Sequence, residues 1–151
     1  MDIIIKDRLA SGSITGMIAA VIKTLFNYGF YLLGITNNNY PALILEVLLK
    51  APSKTDSFGP FLFAMFIDSV IGGTLAILII YGLKIISRWY FWYKGLFLGS
   101  LFWLLGPVIT LPHLQPELSF SFYYISLLDH WILGVVIITL IERLYPSNQL
   151  K

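Results

Sequence analysis

Lys23, Asn27, Asp68, Asp129 and His130 are polar or ionisable residues set inside long apolar runs. Their types allow three kinds of chemistry. A lysine and an aspartate can form a buried ion pair. Two aspartates can carry protons or ions, with the lysine as a counter-charge able to favour their charged forms while desolvation acts in the opposite direction. An aspartate and a histidine can relay a proton, but neighbouring helix positions point about 100° apart and do not face each other. Asp129 and His130 alone therefore make a poor dyad, and His130 is expected to hydrogen-bond to an adjacent helix.

The elements that must position these residues follow from composition. Of 151 residues, 58% are hydrophobic and only 12% charged, whereas a soluble domain has about 45–50% apolar and about 25% charged residues. With a mean hydropathy of +0.81, the natural solvent is a membrane. A spanning helix needs about 20 mainly apolar residues to cross a core of about 30 Å. Four segments qualify, at about 9–33, 58–81, 93–111 and 120–140, and the chain reads as a single all-α, four-span membrane domain over 1–151. The long apolar runs do not alternate, which excludes a membrane β-barrel. Helices are required because backbone polar groups in lipid must be satisfied within the segment.

Between spans one and two, a polar NNNY turn and Pro41 precede ALILEVLLK. This stretch is too short to span and is expected to form an extra interfacial or re-entrant helix. Glu46 fits its solvated face, with Lys50 at i+4 as a partner. Pro107 and Pro112 are expected to kink or end the third span. The first span should be retained rather than cleaved, because Lys23 and Asn27 interrupt it and no small-residue cleavage site follows a compact apolar run.

Basic residues set the orientation. Lys6, Arg8, Lys84, Arg88, Lys94, Arg143 and Lys151 lie on one side, against Lys50 and Lys54 on the other. Both termini are thus expected in the cytoplasm, with aromatic RWYFWYK at the headgroup level.

From that orientation, Lys23 lies about 21 Å from the cytoplasmic edge, and Asp68 and Asp129 lie about 15 Å from the opposite edge. All three fall near one depth, so Lys23 is expected to pair with Asp68 or Asp129, with Asn27 one turn away. A central lysine or aspartate costs roughly 2.5–3.5 kcal/mol on insertion scales, which favours such company. The polar residues also share faces with small ones that let helices approach closely. Gly12 and Gly16 lie with Lys23 on span one, Gly72 with Asp68 on span two, Gly95 and Gly99 with Trp103 on span three, and Gly134 with His130 on span four.

Other chemistry is excluded or disfavoured. A net charge of +2 is too small and scattered for nucleic acid. Without cysteine there is no disulfide, thiolate metal site or thiol nucleophile. His113 and His130 are the two imidazoles, at different depths, so neither a haem nor a metal is expected. No phosphate loop, HExxH, Gly-x-Ser-x-Gly or dinucleotide fingerprint occurs.

The segments IDSVIGG in span two and LDHWILG in span four suggest two hairpins of similar plan, related by an axis along the membrane normal. With the glycine-spaced first span and KGLFLGSLFW in the third, they resemble small four-helix membrane proteins of unknown function from Gram-positive bacteria. That resemblance rests on Lys94, Gly95, Gly99, Trp103, His130 and Gly134, and it covers most of the chain. Where this chain has Asp68, the family pattern often has a histidine. The resemblance implies a fold and a membrane address, and no activity.

The functional expectation is a structural or accessory membrane subunit with a buried polar cluster, packing in lipid against itself or in a larger complex. The alternative is a small oligomeric transporter or channel for protons, ions or a small solute. A membrane enzyme or lipophilic-cofactor protein using Asp129 and His130 stands last.

Overall fold

The computed structural model describes residues 7–37, 39–50, 58–82, 90–114 and 118–144, and among these there is no strand. Among the described residues, four helices are long and apolar enough to cross a membrane. Helix α1 covers Arg8–Leu32. At about 1.5 Å per residue it is longer than the about 30 Å hydrocarbon core. Asp7 caps its start, with Oδ1 accepting from the backbone N–H of Leu9 at 2.8 Å. Its end is closed by Gly34 at φ +69. Gly34 N–H donates to the Tyr31 carbonyl and Ile35 N–H to the Phe30 carbonyl, both at 3.0 Å, which satisfies carbonyls that the helix itself leaves bare.

The short helix α2, Tyr40–Leu49, lies between spans one and two and carries Pro41 in its first turn, where a missing N–H costs nothing. It turns its first residues into the bundle. Pro41 is fully buried, and Ile44 and Leu45 pack against Ala64 and Ile67 of the second span. Leu48 near its other end is 55% exposed. The short helix expected between spans one and two is thus present, with its first half packed on the second span. No bridge joins Glu46 to Lys50 among the described residues, because Lys50 leaves the helix with φ 50.

The second span is α3, Phe58–Gly82, and the fourth is α6, Phe120–Leu144, one turn longer than expected. The third span is composite: α4, Phe91–Trp103, then a π-helical segment, Leu104–Thr110, then α5, Leu111–Leu114. Pro107 offers no N–H and crowds the carbonyl four residues before it. The backbone responds by widening, with Leu111 N–H reaching the Gly106 carbonyl five residues back. The helix thus neither stops nor breaks at its prolines.

Packing follows the small residues. Span one lies on span two and span three on span four, while α1 also packs on α6 and joins the two hairpins. A Cβ on Gly16 would strike the Gly72 carbonyl, and a Cβ on Gly134 would strike that of Gly95. Backbones this close leave no room for any other residue. Ala20, Ala76, Ile80, Leu133, Ile137 and Ile138 fill the centre between the pairs. Outward faces carry exposed Leu25, Phe66, Leu78 and Phe97, as a lipid-facing surface requires.

Lys6, Lys54, Lys84, Arg88 and Lys151, which carry most of the orientation argument, lie outside the described residues, as does the whole of 51–57.

Candidate functional site

Lys23 projects from α1 toward α3. Its Nζ donates to Asp68 Oδ1 at 2.7 Å, and both side chains are 3% exposed. Thr24, the next residue on α1, donates through Oγ1 to the other oxygen, Asp68 Oδ2, at 2.6 Å. Asp68 therefore receives a charged donor and a neutral one from a single turn of the partner helix. Such charge-assisted bonds are the strong ones, and burial strengthens them further.

Tyr40 of α2 also approaches the ammonium. Lys23 Nζ lies 4.1 Å from the centre of its ring, within reach of the negative face of the π-system. The backbone N–H of Tyr40 donates to Asn27 Oδ1 at 2.9 Å. This uses one of the donors that a helix start leaves unpaired. The amide of Asn27 spends its other end on α6, with Nδ2 donating to Asp129 Oδ2 at 2.7 Å. One network thus ties α1, α2, α3 and α6 together.

Asp129 differs from Asp68. It is 1% exposed, it accepts from a neutral amide, and its Oδ1 has no hydrogen-bond partner among the described residues. Of the two carboxylates considered for Lys23, the ion pair goes to Asp68.

His130 takes a different direction. Its Nδ1 lies 2.6 Å from the Ser126 carbonyl, one turn back on the same helix. A carbonyl can only accept, so Nδ1 carries the hydrogen and a neutral ring keeps its lone pair on Nε2. The expected bond to an adjacent helix is therefore replaced by one within α6, because the ring turns toward a groove between the hairpins. The rings of His130 and Tyr40 stand nearly perpendicular at a centroid distance of 6.5 Å. His130 does not form a dyad with Asp129.

The remaining sequence-derived residues pack helices. A Cβ on Gly12 would come within 2.8 Å of Ile77 Cα, and one on Gly95 within 2.7 Å of Val135 Cα. Gly99 lies against the His130 carbonyl. Trp103 ties span three to span four, its Nε1 donating to the Tyr123 carbonyl and Ser126 Oγ, each at 3.0 Å.

Sequence reasoning missed Thr24, Tyr40 and Ser126. Thr24 had a usable signal, since it stands beside Lys23 in an apolar run. Tyr40 had none, because its role depends on α2 folding back into the bundle.

No group of three or more histidine, aspartate or glutamate side chains could hold a metal ion among the described residues. Comparison with protein-family models, with curated proteins and with solved structures finds no match for this chain.

Proposed function

We propose that this chain is a structural or accessory subunit of the cell membrane, working by helix packing against a partner or a second copy and not by catalysis. The observation that carries the reading is the Lys23–Asp68 pair at 2.7 Å. Together with Thr24, Tyr40, Asn27 and Asp129, it spends the costly groups of the interior on holding four helical elements in one arrangement. In this reading both termini face the cytoplasm, and the likeness to four-helix proteins of Gram-positive bacteria is one of membrane address and fold.

Orientation has a direct test, because the chain has no cysteine of its own. Lys50→Cys should react with a membrane-impermeant maleimide in intact cells, and Glu142→Cys only after permeabilisation. The reverse pattern overturns the assignment. The accessory role predicts proteoliposomes of the wild type without proton or cation flux, alongside loss of thermal stability in Lys23→Leu.

A second reading, a small oligomeric transporter, is favoured by one observation: Asp129 Oδ1, buried and without a partner among the described residues. Four closely packed helices leave little room for a path through one copy, so this reading requires an oligomer. Flux that Asp129→Asn abolishes would establish it, and a strictly monomeric protein in mild detergent would remove it.

A further inference from the structure

Between the two hairpins runs a groove of about 570 Å³. Its volume falls within the about 300–1,000 Å³ of sites that enclose small molecules. Leu43 and Val47 of α2, Ile71 and Leu75 of α3, and Leu105 and Leu111 of the third span form aliphatic walls. Three rings also line the groove: Phe102, and Tyr40 with His130, whose ring centres lie 6.5 Å apart. The groove is thus mostly aliphatic, with the Tyr40 ring beside the imidazole that can hydrogen-bond.

Two further features single it out. The wall on the third span is the π-helical segment, with Leu105, Gly106, Pro107 and Thr110 all facing the groove. Such widened turns occur frequently at functional sites. Gly106 adds room, since a Cβ there would meet nothing within 4 Å. The imidazole is also fixed: with Nδ1 held by the Ser126 carbonyl at 2.6 Å, Nε2 is the acceptor left for an occupant.

Depth decides what kind of occupant fits. His130 lies ten residues beyond Phe120 on α6, or about 15 Å along the helix, close to the middle of a core of about 30 Å. A phospholipid keeps its charged headgroup at the surface, because charge at mid-depth is costly. It would present only a methyl end to His130. An uncharged ring with a hydroxyl matches better, the ring among the aromatic side chains and the hydroxyl on Nε2. A hydrocarbon tail would follow the aliphatic walls.

We propose that this groove is a binding site for a lipophilic hydroxy-aromatic molecule of the alkyl hydroquinone class, with His130 Nε2 accepting from its hydroxyl. The site is independent of the accessory role argued above.

The test uses the full chain in phosphatidylcholine nanodiscs and radiolabelled dodecylhydroquinone, kept reduced. The expected result is saturable binding that unlabelled dodecylhydroquinone displaces about tenfold better than dodecylbenzene, the scale of one hydrogen bond. His130→Phe should erase that preference. Gly106→Phe, which fills open space instead of displacing packed atoms, should abolish saturable binding while the unfolding temperature stays near that of the wild type. Three outcomes overturn the proposal: no saturable binding to the wild type, equal competition by dodecylbenzene, or undiminished binding to Gly106→Phe. Equal competition would mark the groove as a seat for any hydrocarbon chain.

Discussion

Lys23 and Asp68 meet at 2.7 Å across the α1–α3 contact, each 3% exposed, and Thr24 on the same helix turn completes the carboxylate at 2.6 Å. The pair is buried from lipid and from water, so neither partner has a substitute for the other. Burial makes the pair specific more surely than it makes it stabilising, since desolvation offsets much of the attraction.

Lys23→Leu leaves the Asp68 carboxylate with Thr24 alone. The expected cost is about 3–5 kcal/mol, read as a lowered unfolding temperature in mild detergent. The double variant Lys23→Leu with Asp68→Leu should recover most of it, because an apolar pair carries no desolvation cost. Exchanging the two, Lys23→Asp with Asp68→Lys, should recover part, with Thr24 then left beside an ammonium. A double variant no better than the single one would mean that the ion pair is not what the single variant lost.

The two aspartates should respond differently to loss of charge. Asp129→Asn keeps a carbonyl to accept from Asn27, which holds Oδ2 at 2.7 Å, so the expected cost is about 1 kcal/mol or less. Asp68→Asn strands a buried ammonium and should cost about 3 kcal/mol or more. Thermal unfolding of the two variants side by side decides this, and equal losses would contradict the assignment of Lys23 to Asp68.

Glycine positions should divide by what surrounds them. Gly16→Ala drives a methyl into the Gly72 carbonyl, and Gly134→Ala one into that of Gly95. Since the obstacle is backbone, the helices must separate, at about 1–3 kcal/mol or more. Gly29→Ala, with nothing within 4 Å of the new carbon, should be neutral or raise stability by up to about 1 kcal/mol through helix propensity. Yield of folded protein by size-exclusion profile and its unfolding temperature report all three.

Trp103→Phe keeps one aromatic ring but loses the five-membered half of the indole, with the N–H that serves the Tyr123 carbonyl and Ser126 Oγ at 3.0 Å each. The expected loss is about 1–3 kcal/mol, from the hydrogen bonds and the lost ring atoms together. Hydrogen exchange at the facing ends of spans three and four should rise, with the α1–α3 pair unaffected.

Much of this architecture was legible because it is one-dimensional. Whether a run can cross a bilayer depends on its length and apolarity, so all four spans were found, with ends displaced by a few residues. Gly12, Gly16, Gly95 and Gly99 were found through spacing alone, since three- and four-residue intervals share a helix face. The course of the third span was less legible. Pro107 announced a disturbance, but whether a helix kinks, stops or widens is decided by the neighbours that hold its far end.

Sequence by itself determined that an ammonium at position 23 must find a partner in the interior, since lipid offers it none. It also determined that small residues would line the contacts where that partner could approach. Only the tertiary structure decided that the partner is Asp68 and not Asp129, because both stand at similar depth and the choice lies in how each helix is rotated about its axis. The same holds for Tyr40 and His130. One reaches the site because α2 folds back into the bundle, and the other faces a groove that exists only where two hairpins stand beside each other.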